Sequence, residues 1–157
     1  MNVDQLANEY CHFFDDAAFH ETGRAGFRQR IITGDHLQLC FWRIAGGATG
    51  SIMHQHDAHE QLGIVVRGAL DFRIGHPDIE QRRVLREGDV YLAPATIWHG
   101  DSIFIGDDEY DECWILDIFS PPRADFSAAQ HAATSAAAAA AAAVHPTTNL
   151  TGNGVAP

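Results

Sequence analysis

Between Phe27 and Phe119 the chain alternates short runs of β-branched and aromatic residues with breaks rich in glycine and aspartate. FRQRIIT ends at Gly34-Asp35, HLQLCFWRI ends at AGGATG, and EQLGIVV turns at Arg67-Gly68 into ALDFRI. GHPD then leads to IEQRRVL, REGD to VYLA, and GDDE to the last run, DECWILDIF. Runs of this kind, with no helical pattern between them, predict antiparallel strands closed into a sandwich or barrel rather than a parallel α/β sheet. Ahead of them, Val3, Leu6, Ala7, Tyr10, Phe13, Phe14, Ala17 and Ala18 fall three and four apart, which predicts an amphipathic helix over 3–18. Pro121-Pro122 ends the last strand, because neither residue can donate to a ladder. Beyond about Ser127 alanine dominates and little can be buried, so a frayed or disordered tail is expected. The chain thus divides into a helical segment, 1–26, a barrel, 27–126, and a low-complexity tail, 127–157.

A chain of 157 residues, 46 % apolar and 20 % charged, suits one globular domain with a real core. The formal charge is −11, and all ten cations are arginine. Without lysine, Schiff-base chemistry and a lysine general base are excluded. An acidic surface argues against nucleic acid as a partner. Cys11, Cys40 and Cys113 are odd in number and widely spaced, which fits reduced thiols better than a disulfide framework. The N-terminus has no basic stretch followed by an apolar run, and no segment approaches ~18 uninterrupted apolar residues. A soluble, cytoplasmic protein is the expectation.

Within GSIMHQHDAHEQLGIVVRG, His54 and His56 are two apart, a spacing that sends both imidazoles to one face of a strand. Gln61 follows, then Gly68 at a hairpin turn; downstream come Gly88, Pro94 and His99. Three neutral imidazoles and one oxygen donor suit a borderline divalent ion: zinc, nickel, iron or manganese. His59 and Glu60 sit beside Gln61, and either could take its place as fourth donor. His12, His20, His36, His76, His131 and His145 lie at turns, beside the N-terminal segment or in the tail, and are assigned capping or solvent-exposed roles.

The first segment resembles the first cupin motif, and G-x5-P-x-x-x-x-H resembles the second. The departures are Gln61 where most cupins carry glutamate, Thr96 in place of a glycine, and a glycine upstream of His54 that is out of register. The resemblance implies an antiparallel cupin β-barrel (a double-stranded β-helix, or jelly roll) holding one divalent metal through His54, His56, Gln61 and His99. The last strand with its continuation, CWILDIFSPPRADF, is similar to that of the KdgF-like cupins of pectin and alginate catabolism. Those enzymes ring-open 4,5-unsaturated monouronates to the linear 5-keto-4-deoxyuronate. Their terminal aspartate, phenylalanine and arginine correspond to Asp117, Phe119 and Arg123, which the resemblance makes catalytic candidates.

Strand alternation puts Asp117 and Phe119 on one face with Cys113 and Ile115, and Trp114, Leu116 and Ile118 on the other. A buried carboxylate is costly unless it has a task, and proton transfer beside a metal supplies one. Arg123 suits a grip on a substrate carboxylate. A structural Asp117–Arg123 salt bridge is the competing reading. A neutral ligand set leaves the ion's full charge on the site, which favours lyase or isomerase chemistry over oxygenation. Two further classes stand beside it: a mononuclear iron oxygenase or natural-product tailoring enzyme, told apart by oxygen consumption, and a non-catalytic cupin, told apart by tight binding without turnover. The acidic GDDEYDE loop opposes an anionic substrate. The apolar outward row Trp114, Leu116, Ile118 needs cover, and a homodimer is expected to supply it.

Overall fold

The computed structural model describes residues 11–76, 78 and 81–144. Nine strands occur among them: β1 (His20–Glu21), β2 (Phe27–Thr33), β3 (Gln38–Ala45), β4 (Glu60–Arg67), β5 (Ala69–Ile74), β6 (Gln81–Arg86), β7 (Val90–Ala93), β8 (His99–Ile105) and β9 (Glu112–Ser120). They form a six-stranded sheet in the order β1-β2-β3-β9-β4-β7 and a three-stranded sheet in the order β6-β5-β8. All neighbours pair antiparallel. The last strand therefore lies inside the larger sheet, flanked by β3 and β4, with Cys113, Ile115, Asp117 and Phe119 buried along it. Phe27, Ile44, Val65, Leu70, Phe72, Phe104, Cys113 and Ile115 join the two sheets in one core cluster. No helix among the described residues is long and apolar enough to cross a membrane.

Strand β8 has no counterpart in the runs read from the sequence. Its first turn carries Gly100 at φ 128° and Asp101 at φ 47°, and the β5–β8 register slips by one residue there. A bulge thus opens the strand on turn-type residues, which hides its period.

The helix expected over 3–18 is not what residues 11–18 form: they make turns and a single 3-10 helix, Asp16–Ala18, and 3–10 lie outside the described residues. The apolar spacing serves another purpose. Phe13 stacks on Trp114 (5.8 Å, 9°) and sits 5.2 Å from Phe41, while Phe14 meets Trp114 edge-on at 4.9 Å. Asp16 meanwhile pairs with Arg28 and Arg43. Trp114 is accordingly 1 % exposed, covered by its own chain rather than awaiting a partner. Its indole nitrogen donates to Glu112, and the Arg43 and Arg67 guanidinium groups lie 4.8 and 5.2 Å from the ring.

The segment expected as a frayed or disordered tail begins as a helix, α1 (Ala124–Val144); 145–157 lie outside the described residues. A short alanine tract is a poor helix alone because nucleation is costly. Here the barrel provides the nucleus. The fully buried Gln38 amide accepts from the Arg123 N–H (3.1 Å) and donates to the Arg123 carbonyl (3.2 Å) and Ser127 Oγ (3.1 Å). Phe126 and Ala129 pack on Ile31, Cys40 and Phe119.

Candidate metal centre

His54 and His99 face each other across an isolated antiparallel bridge, exchanging backbone bonds of 2.9 and 2.8 Å. That bridge joins the two histidine motifs directly. Each ring is then oriented by a main-chain carbonyl: His54 Nδ1 bonds Ile52 O and His99 Nδ1 bonds Ile97 O, both at 2.9 Å. A carbonyl only accepts, so in the neutral rings Nδ1 carries the proton and Nε2 presents a lone pair. Gly100 makes this possible, since a Cβ there would stand 2.6 Å from Ile52 O and 3.1 Å from His54 Nδ1.

His54, His56 and His99 form a group able to hold a metal ion, with ligand atoms all within 4.8 Å of one another. Burial, followed by the neighbouring His59, Arg123 and His99, pushes His56 down to about 4. Burial likewise takes His99 to about 4, against its bond to Ile97 and helped by His54 and Arg123. Both rings are therefore neutral at physiological pH, the state that ligates.

Strand alternation separates the other candidates. Gln61 is buried and Glu60 exposed. Gln61 Oε1 lies 3.3 Å from His56 Nε2 and 3.2 Å from His99 Nε2. With His99 Nδ1 protonated, His99 Nε2 and Gln61 Oε1 are two acceptors aimed at each other. A divalent cation between such atoms satisfies both, so the donor set fits the metal that cupins commonly carry. His59 stacks behind His56 at 4.2 Å, outside the three-histidine group. His12, His36, His76 and His131 are exposed, and His20 is half-buried.

The other face of Gln61 leads to Asp117 through a residue that the sequence did not single out. Gln61 Nε2 donates to the Tyr91 hydroxyl at 2.8 Å, and that hydroxyl donates to Asp117 Oδ1 at 2.8 Å. The register explains the reach: Tyr91 pairs with Gly63, and Gly63 pairs with Asp117. With no side chain on the middle strand, the tyrosine ring lies across it; a Cβ on Gly63 would sit 2.1 Å from that ring. An isolated glycine inside the run EQLGIVV was the available signal for such a close approach. Burial pushes Asp117 above the usual carboxylate range, against hydrogen bonds from Tyr91, Gln61 and Trp42 and the charge of Arg123.

Arg123 does not pair with Asp117. Its Nε and Nη2 bind the Asp125 carboxylate at 3.1 and 2.8 Å, and its guanidinium lies 4.0 Å from the Phe126 ring and 5.0 Å from Phe119. All these groups meet in one cavity of about 360 Å³, lined by the three histidines, Gln61, Tyr91, Asp117, Phe119, Arg123 and Phe126 among others.

Two expectations follow from this framework. Tyr91→Phe frees the Gln61 amide to rotate, and losing a ligand-orienting bond typically costs ~10–100-fold in metal affinity. Competition against a chromogenic chelator measures it; unchanged affinity would show that the hydroxyl orients nothing. Thr96, which stands where the cupin motif resembled here carries glycine, has φ 68°, while its N–H donates to His56 O at 2.7 Å. A β-branched residue in that conformation costs about 1–2 kcal/mol, partly offset in glycine by its freer unfolded chain. Thr96→Gly is therefore expected to hold or raise the calorimetric Tm, and a fall of ~5 °C or more would contradict it.

A cupin-domain family model matches residues 40–108, a span that holds the histidines and Gln61 and ends before Asp117. No curated protein sequence matches the chain. Among solved structures, KdgF from Halomonas sp. is 27 % identical with a TM-score of 0.61, covering 74 % of this chain and 99 % of that one. An RmlC-like cupin from Shewanella frigidimarina is 24 % identical (TM-score 0.57, 76 % and 98 % covered). Oxalate decarboxylase from Bacillus subtilis is 16 % identical (TM-score 0.54, 69 % and 28 % covered). The last two share the fold alone. Barrel, histidine placement and matches agree: residues 40–108 match the cupin domain, and the chain resembles KdgF.

Proposed function

We propose that the protein is a metal-dependent lyase or isomerase acting on a small sugar acid or carbonyl compound, with ring-opening of 4,5-unsaturated monouronates as its reaction. The observation that carries this reading is the line Gln61–Tyr91–Asp117, which sets a buried carboxyl one hydroxyl away from the Gln61 amide that touches His56 and His99. His54, His56, Gln61 and His99 would hold one divalent ion. Bound there among neutral donors, the ion supplies Lewis acidity with its charge uncompensated.

The chain's own residues do the rest. Asp117 takes the proton of the anomeric hydroxyl as the ring C–O bond breaks. A proton then returns to carbon 4 as the released enol becomes the ketone, so no atom is gained or lost. The raised Asp117 carboxyl suits both halves of that exchange. Phe119 walls the cavity beside His56, 6.1 Å between rings. Arg123, held flat by Asp125 and Phe126, keeps Nη1 free among the described residues to orient the substrate carboxylate.

The test is turnover of 4,5-unsaturated galacturonate, followed by loss of the ultraviolet absorbance of its conjugated double bond, with and without chelation. Metal-dependent turnover is expected; inactivity of the metal-loaded protein on every unsaturated uronate would overturn the substrate class.

The same reading takes the protein as a homodimer in a reducing cytoplasm. In its support, two outer rows run by register along Ile118–Leu62–Leu92 and Leu116–Ile64–Val90, with Val90 55 % and Leu92 50 % exposed. All three cysteines are free thiols. A monomeric mass in solution would refute the dimer.

A further inference from the structure

Arg123 is only one of two arginines on the cavity wall. The other is Arg24, which precedes β2. The register places the two at opposite ends of the sheet: Phe27 aligns with Ile44 and Cys113 at the start of β9, whereas Arg123 follows Phe119 at its end. Six residues of strand separate Cys113 from Phe119, about 20 Å.

The two guanidinium groups differ in charge balance. Arg123 is neutralised by Asp125. Arg24 meets no carboxylate among the described residues. It donates through Nη2 to the carbonyls of Thr49 and Gly50 (3.2 Å for the latter), and it lies 4.3 Å over the Phe27 ring. Those contacts fix the group and leave Nε and Nη1 without a bond among the described residues. Thr22 Oγ1 accepts from the Arg24 N–H at 3.2 Å, which steadies the turn that carries it.

A second observation points to a ligand at this end. Ser102 also lines the cavity and is only 8 % exposed, yet its hydroxyl has no hydrogen bond among the described residues. Gly50 makes room for it, since a Cβ there would stand 2.8 Å from Ser102 Cβ. An unpartnered hydroxyl and an unbalanced cation on one cavity wall are the parts of an anion receptor.

We propose that Arg24 and Ser102 form a second anion-binding subsite, opposite Arg123, so that an elongated acid bearing an anionic group at each end binds more tightly than a monouronate. The proposal rests on the reading of the cavity as a sugar-acid site. It also accounts for an acid entering a protein of charge −11, because Arg24 adds positive charge that no carboxylate among the described residues cancels.

The experiment is calorimetric titration of the full-length, metal-loaded protein with galacturonate, galactarate and digalacturonate: one monoacid and two diacids of different length. At least one diacid is expected to bind ~10-fold tighter than galacturonate, the increment of one charge-assisted contact. Arg24→Gln should abolish that advantage and leave galacturonate binding within about twofold, while Arg24→Lys should restore part of it. Equal binding of all three acids, or an advantage that survives Arg24→Gln, overturns this subsite alone. Failure of all three to bind overturns it together with the sugar-acid reading.

Discussion

Asp117→Asn is expected to keep the barrel folded and the metal bound while lowering kcat by ~10²–10⁴-fold, the usual contribution of a positioned acid–base group. Asparagine keeps the shape and still accepts from Tyr91, whose hydroxyl lies 2.8 Å from Asp117 Oδ1. It also removes a carboxyl that is only 9 % exposed, so the melting temperature should not fall. Arg123→Ala should instead act mostly on KM, because the substrate grip proposed for it would be shared by ground and transition states. The pairing of Arg123 with Asp125 already separates the two residues energetically, so their effects on stability should be independent. Turnover, metal content and melting temperature measured together decide the matter. Full activity per folded Asp117→Asn molecule would sink the catalytic role.

Exchanging His54 and His99 together for alanine is expected to take bound metal from one ion per chain to below ~0.1, since binding energy is spread over the ligands and half of them are gone. The loss should exceed a simple halving of affinity. The two residues also hold the bridge between the histidine motifs through side chains locked on Ile52 and Ile97. Elemental analysis of dialysed protein reads the outcome, and stoichiometric metal in the double variant would show that the ion sits elsewhere. The wild type should lose its metal as pH falls toward 4, where His56 and His99 take up protons.

What could be read from the sequence was whatever depends on alternation within one strand. The runs 27–33, 69–74 and 90–93 match β2, β5 and β7 residue for residue. The inward set Cys113, Ile115, Asp117 and Phe119 follows from period two alone. The burial of Gln61 and the exposure of Glu60 obey the same alternation, although the sequence left Glu60 and His59 open as fourth donor. What escaped depends on other strands. Tyr91 acquires its place only because Gly63 lies between it and Asp117, a relation of register across three strands. Trp114 reads as an outward residue in need of a partner until Phe13 and Phe14 fold back over it. The same rings undo the helical reading of 3–18 where it is described, since their spacing suits a helix and a folded-over turn equally. Arg24 lies in the turn between β1 and β2, ahead of the runs that read as strands, and nothing local marks it as a wall of the cavity.

The anchoring of α1 has a practical corollary for anyone trimming the gene. The alanine-rich end invites a stop codon just after Phe126, where low-complexity sequence begins. Such a cut would leave Arg123 and Phe126 in the product but delete Ser127, whose N–H and hydroxyl both close on the Arg123 carbonyl (3.1 and 3.0 Å) and which Gln38 grips. The two side chains that line the cavity would then hang from a loose end. A shortened protein of that length should crystallise as a sound barrel yet fall short in the proposed turnover, and a stop placed a few turns later should cure it.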